Sequence, residues 1–235
     1  MREPSSFRRS DRQFFAVSIG FTALTPRWHP TRELITGYAA GNLALGPMLA
    51  IGVHLDACPS CGAMAGELEE AEGRLLASQG GAPLRPGALE NTLAKLSEMV
   101  VADPGATQIF SANAIALPAS LERIGFQPAI HLDAETWVAH IDAPRFDGWR
   151  TYVFCCPAQT ALPPHGHLGD ELIVVLEGGF HDQRDFGIGD FVENRPGFVH
   201  DMQASRDGRL VALISAGGAI DWRAQDAGLG ALLDI

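Results

Sequence analysis

The chain has 235 residues, 46% of them hydrophobic and 19% charged, which fits a globular protein of one large or two small domains and excludes a disordered, collagen-like or coiled-coil chain. Its net charge is −11, and residues 1–32 carry six Arg against Glu3 and Asp11, leaving −15 on the rest. Phosphate neutralisation needs clustered Lys and Arg, so direct nucleic-acid binding is not expected and a basic protein surface is the fitting partner.

Residues 1–28 mix Arg, Ser and Phe with no helical or strand period and read as a flexible arm or a misassigned start. No apolar run with a small-residue cleavage site follows Met1, so the expected location is the cytoplasm. The longest apolar stretch, 43–53, is 11 residues broken by Gly46, Pro47 and Gly52, against about 20 for a membrane span, so no membrane partner is expected. From Thr31 the pattern turns helical through Leu34, Ile35, Tyr38 and Leu43, then through Met48, Leu49, Ile51, Val53 and Leu55, with breaks at Gly41 and Gly46-Pro47. A third helix is expected from about Gly62 to Ser78, after a turn at Cys58-Pro59-Ser60-Cys61. A fourth, 86–101, carries Leu89, Leu93, Leu96 and Val100 at steps of four, three and four, a single apolar stripe that packs within its own domain or binds a partner.

Residues 102–128, with Pro104, Gly105, Pro118, Gly125 and Pro128, read as a linker. From Glu135 the period shortens: 136–141, 149–156, 171–177, 191–192 and 210–215 are short apolar or alternating runs between Gly, Asp and Pro turns, which is an all-β signature. The fold class expected is therefore α+β multidomain: a small helical domain over 29–101, a linker, an all-β domain over 129–225, and a tail over 226–235.

Two constellations carry chemistry. His54, Cys58 and Cys61 stand at steps of four and three, which brings one imidazole and two thiols to one side of a turn. Zinc takes four such ligands in a closed structural site, and His29, just ahead of the first helix, is chosen as the fourth over His131 and His140. A CxxC redox pair and two buried structural thiols are the competing readings. In the second constellation, His165 and His167 share a face of an extended chain, Glu171 follows at the head of a strand, and His200 lies further on. Three imidazoles and a carboxylate suit Zn, Fe, Mn or Ni alike. Glu177, His181 and Asp182 read as rim or hairpin residues. Cys155 and Cys156, on opposite faces of a strand, are expected to be one buried and one near the opposite surface.

The spacing His165-x-His167-x3-Glu171-x6-Gly178 resembles the first cupin motif, and Gly189-x5-Arg195-Pro196-Gly197-x2-His200 resembles the second, with Arg195 where the pattern usually has Pro and Ala204 where it usually has Asn. A helical domain with His29-(x4)-Leu34-(x3)-Tyr38-Ala39-Ala40-Gly41 and His54-Leu55-(x2)-Cys58-(x2)-Cys61, followed by such a cupin with Phe180 and Gly189-Asp190, resembles the ChrR-type zinc anti-sigma factors over residues 29 to about 215. That resemblance implies a double-stranded β-helix or jelly-roll barrel after a helical zinc-binding bundle, no catalysis, and an extracytoplasmic-function (ECF) sigma factor as partner. It also implies release of that partner on an oxidative signal of the singlet-oxygen or organic-peroxide type. A homodimer of the free chain is a further partnering the sequence allows. The alternative is a cupin metalloenzyme, dioxygenase-like, whose helical domain serves dimerisation. An enzyme needs polar groups around an open metal position, and only Arg195 and Gln203 near the second motif stand available in the sequence.

Overall fold

The computed structural model of the chain describes residues 25–98, 106–142 and 148–222. Helix α1 (Arg32–Ala39) is followed by Gly41 at φ +64°, a conformation glycine adopts without strain, and the chain reverses there. Helix α2 (Leu45–Ala57) is apolar on almost every side, the mark of a helix covered all round, and Leu49, Ala50, Ile51, Val53 and His54 are all buried. Pro59 forces Cys58 out of helical geometry and ends α2. The same proline then fills the first turn of α3 (Pro59–Ser78), where its missing N–H is no loss, so α3 starts ahead of the expected Gly62 and Cys61 sits in its first turn. Helix α4 (Ala88–Glu98) lies within the span expected for it.

Eleven strands follow among the described residues: β1 (Ile130–His131), β2 (Trp137–His140), β3 (Arg150–Cys156), β4 (Ala161–His167), β5 (Glu171–Glu177), β6 (Gly179–Asp182), β7 (Arg184–Gly187), β8 (Phe191–Asn194), β9 (Val199–Ala204), β10 (Leu210–Ala216) and β11 (Ile220–Trp222). They pair antiparallel in two sheets, ordered β1-β2-β3-β10-β5-β8 and β11-β4-β9-β6-β7. The sheets face one another as a cupin sandwich that is not closed into a barrel.

The central strands β3, β5 and β10 are apolar at every step because both faces of their sheet are covered. Tyr152, Phe154, Ile173, Val175, Ala212 and Ile214 point into the space between the sheets. Val153, Leu172, Val174, Val211 and Leu213, in the alternate positions, meet Leu49, Ile51 and Val53 of α2 on the outer face. This corrects the expectation for the cysteine pair. Cys155 belongs to the outer core and Cys156 to the inner one, and both are buried. Burial raises their thiols, Cys155 to about 11 and Cys156 to about 12. Because the thiolate is the reactive form, alkylation of the folded, metal-loaded protein at pH 8 is expected to leave both unmodified, with full reaction only in denaturant. Mass spectrometry of the labelled peptides checks this, and rapid native labelling of either would contradict the two-sided covering of β3.

The N-terminus of α2 reaches the sheet at Gly46. Thr151 and Ser215 share a hydroxyl hydrogen bond of 2.9 Å across β3 and β10, and a Cβ at Gly46 would overlap both oxygens. Gly46→Val is therefore expected to destabilise the protein by about 1–3 kcal/mol through overpacking, seen as a lower urea midpoint. An unchanged midpoint would mean that α2 does not rest on this pair.

The described part of 102–128 is not the linker expected from its Pro and Gly content. It forms α5 (Ala106–Ala112) and a 3-10 turn (Ala119–Leu121), and it buries Phe110, Ile115 and Leu121 in the outer core. Phe110 meets Phe126 edge-on at 5.9 Å. Arg209 pins the segment: it pairs with both oxygens of Glu177 at 2.9 Å and donates to the Asn113 carbonyl at 2.8 Å. Pro and Gly mark turns here, while the apolar residues between them pack.

Candidate metal centres

The first centre forms where the approach to α1 crosses the α2–α3 junction. One ligand atom from each of His29, His54, Cys58 and Cys61 lies within 4.8 Å of the others. His29 Nδ1 stands 3.5 Å from the sulfurs of both Cys58 and Cys61. Tetrahedral zinc with ordinary Zn–S and Zn–N bonds separates such atoms by about 3.5 Å. His54 Nδ1–H donates to the Gly189 carbonyl at 2.7 Å, which fixes the tautomer and leaves Nε2 buried without a hydrogen-bond partner. An orphaned buried nitrogen beside two thiols fits a metal better than it fits core packing. Burial pulls His54 down to about 4, so its imidazole is neutral at pH 7 and free to ligate, and burial with the neighbouring Cys58 pushes Cys61 up to about 11. The Cys61 thiol therefore carries its proton until a cation replaces it, so metal uptake here releases a proton. Of the four residues only His29 is exposed. His131 lies on β1, and His140, on β2, packs on the Tyr152 ring at 5.2 Å.

The second centre lies between the sheets. His165, His167 and His200 are buried, with one nitrogen from each within 4.8 Å of the others. His165 and His167 alternate with Gly166 on β4, and His200 pairs with His165 across β9. Glu171, at the head of β5, brings Oε2 to 3.2 Å from His167 Nε2 and 3.7 Å from His200 Nε2. His165 Nδ1–H donates to the Pro163 carbonyl at 2.9 Å, turning Nε2 inward. Burial lowers His165, and burial with the two neighbouring imidazoles lowers His167 to about 3. At His200 burial acts downward too, but Asp182 and Glu171 outweigh it and the net shift is up. Burial raises Glu171.

Two supporting residues escaped the sequence. Asp182 is no rim residue: it is buried, and its Oδ2 accepts the His200 Nδ1–H at 2.7 Å, the carboxylate–imidazole arrangement that orients a metal-ligating histidine. Asn194 donates to Glu171 Oε2 at 2.9 Å. Only Asp182's hairpin position was legible locally, because its partner lies 18 residues on, across β6 and β9.

The stripe on α4 lies open. Leu89, Leu93 and Leu96 are 62%, 55% and 56% exposed, and Val100 falls outside the described residues. Among the described residues no helix is long and apolar enough to cross a membrane.

Residues 124–218 match the family model described as the ChrR cupin-like domain. The chain is 30% identical over 174 residues to the anti-sigma-E factor ChrR of Cereibacter sphaeroides, covering 71% of this chain and 78% of that one. It also matches the crystal structure of Rhodobacter sphaeroides SigE in complex with the anti-sigma ChrR, with a TM-score of 0.63 and 28% identity over 82% of this chain and 100% of the other. On the strength of its sequence, its cupin sandwich and the order of its two histidine clusters, the chain belongs to the ChrR family of anti-sigma factors.

Proposed function

We propose that this protein binds and occludes an ECF sigma factor, keeps it from transcription while its metal centres are intact, and releases it on an oxidative signal. The observation that carries this reading is the convergence of His29, His54, Cys58 and Cys61 at zinc-like separations, in a chain whose α4 also leaves Leu89, Leu93 and Leu96 exposed. The solved complex of a relative with SigE supports the partner class.

The residues divide the work. A bound zinc ion would supply four strong bonds in place of a hydrophobic core, because among the described residues the buried cluster around the site is only Ile35, Cys58, Cys61 and Ala65. Ser60 hydroxyl, 3.2 Å from Cys58 sulfur, supports the developing thiolate. Leu89, Leu93, Leu96 and, by continuation of the spacing, Val100 offer the partner an apolar anchor, and the acidic body offers it a field. His165, His167, Glu171 and His200 would hold a second divalent ion, zinc, iron, manganese or nickel, between the sheets. The role is regulatory, with no turnover, and the chain acts in the cytoplasm where the sigma factor is.

Release follows from thiolate chemistry. Two cysteine thiolates and one organic hydroperoxide, with two protons, give a disulfide, an alcohol and water; the sulfurs lose two electrons and the O–O bond takes them. Cys58 and Cys61 then cannot serve as ligands. Full-length protein saturated with its ECF sigma factor, treated with organic hydroperoxide or with a singlet-oxygen source, is expected to free the sigma factor and release zinc together. Retention of the complex after complete oxidation of Cys58 and Cys61 would overturn the oxidative part of the reading and leave the binding part standing.

A further inference from the structure

The N-terminal centre is not built from helical residues alone. The connection between β7 and β8 lies directly beneath it. There Gly189 adopts φ +81°, its carbonyl accepts the His54 Nδ1–H at 2.7 Å, and a Cβ on it would press on Pro26 and Ala57 at 2.9 and 3.1 Å. Asp190, 2% exposed, directs both oxygens at backbone. Its Oδ1 accepts the N–H of Arg27 at 2.5 Å and of Trp28 at 3.1 Å, and its Oδ2 accepts the Gly187 N–H at 2.8 Å. The Trp28 carbonyl accepts the Phe191 N–H at 3.0 Å, so the chain joins the open edge of β8 one residue before His29. The Phe191 ring meets the His54 ring edge-on at 5.7 Å.

Both imidazoles of the centre are therefore aimed by one turn of the cupin sheet, His54 through a carbonyl and His29 through the path of residues 27–28. The cysteines are held separately, by the α2–α3 junction. We propose that the 187–191 turn is the outer shell of the N-terminal zinc centre, with Asp190 the positioning residue that holds His29 at ligating distance. The inference rests on the zinc reading above. His29 precedes α1 and is exposed, so without the turn its ligation would have to order a free segment, and the carboxylate of Asp190 does that ordering in advance. The same strand also reaches the other centre. β8 ends at Asn194, which donates to Glu171, so four consecutive residues carry support for a ligand of each site. The sheet domain thus has a direct hold on the zinc affinity of the helical one.

The test is a double-mutant cycle on the full-length chain, with zinc affinity read by competition against a chromophoric chelator under reducing conditions. Asp190→Ala is expected to weaken zinc binding by about 10- to 100-fold, the usual loss when a ligand's outer partner is removed. His29→Ala weakens it at least as much, and Asp190→Ala adds nothing further in the His29→Ala background, because both act through one ligand. An Asp190→Ala affinity equal to wild type, or a loss that simply adds to that of His29→Ala, overturns the proposal, the second outcome because it marks general destabilisation. Should Asp190→Ala not fold, Asp190→Asn carries the same cycle, keeping one acceptor oxygen while placing an amide against the Gly187 N–H. Failure of the wild-type chain to compete for zinc at all would instead overturn the zinc reading itself.

Discussion

Replacing Cys58 by Ser is expected to remove the N-terminal zinc and the sigma-binding activity together, lowering affinity for the ECF sigma factor at least about 100-fold. A serine hydroxyl is a poor substitute for a thiolate ligand, and structural zinc supplies about 10–16 kcal/mol of apparent folding free energy in small zinc modules. The buried cluster around the site has four members, two of them the cysteines, and cannot replace that contribution. The loss is expected to be local. α2 is held by Leu49, Ile51 and Val53 against the outer face of the six-stranded sheet and stays in place, whereas the start of α3 packs on α1 through the small cluster of Ile35, Cys61 and Ala65 next to the site. Circular dichroism should therefore show a partial fall in helicity with the strand signal kept, and metal analysis should show one zinc fewer per chain. A Cys58→Ser protein without zinc that still bound the sigma factor at wild-type affinity would contradict the structural role.

The second large effect is at α4. The double substitution Leu93→Asp, Leu96→Asp is expected to weaken sigma binding by about 2 kcal/mol or more, roughly 30-fold, as loss of an apolar anchor does. Both side chains are more than half exposed, so the free protein should melt within about 0.5 kcal/mol of wild type after allowance for helix propensity. The two added acids carry the sign that attracts a basic partner, so an affinity loss here reads the apolar contact and not charge. Calorimetric titration with the sigma factor checks this, and unchanged affinity with α4 intact would place the partner on another face.

The ligand types were legible because local spacing determines their convergence. His54, Cys58 and Cys61 follow one helix end and the first turn of the next, and His165 and His167 are fixed to one face by the period of a strand. His29 was visible only as a histidine at the right place in chain order; what brings it within 3.5 Å of both sulfurs is the Asp190 turn, some 160 residues away. Long-range burial was the weak point for the same reason. Nothing near Cys155 says that α2 covers its face of the sheet, nothing near Asp182 names His200 as its partner, and the prolines of 102–128 mask four apolar residues, Phe110, Ile115, Leu121 and Phe126, that enter the core. Each miss is a contact made across the sequence, where periodicity carries no information.

The most direct test of the account is to purify the tagged full-length protein from its own host under reducing conditions and to measure, on one sample, the identity and stoichiometry of any bound protein and the metal content. The account predicts one ECF sigma factor per chain and at least one zinc. No sigma factor, with iron or manganese between the sheets and the N-terminal thiols free, would contradict it and direct attention to chemistry at the cupin centre.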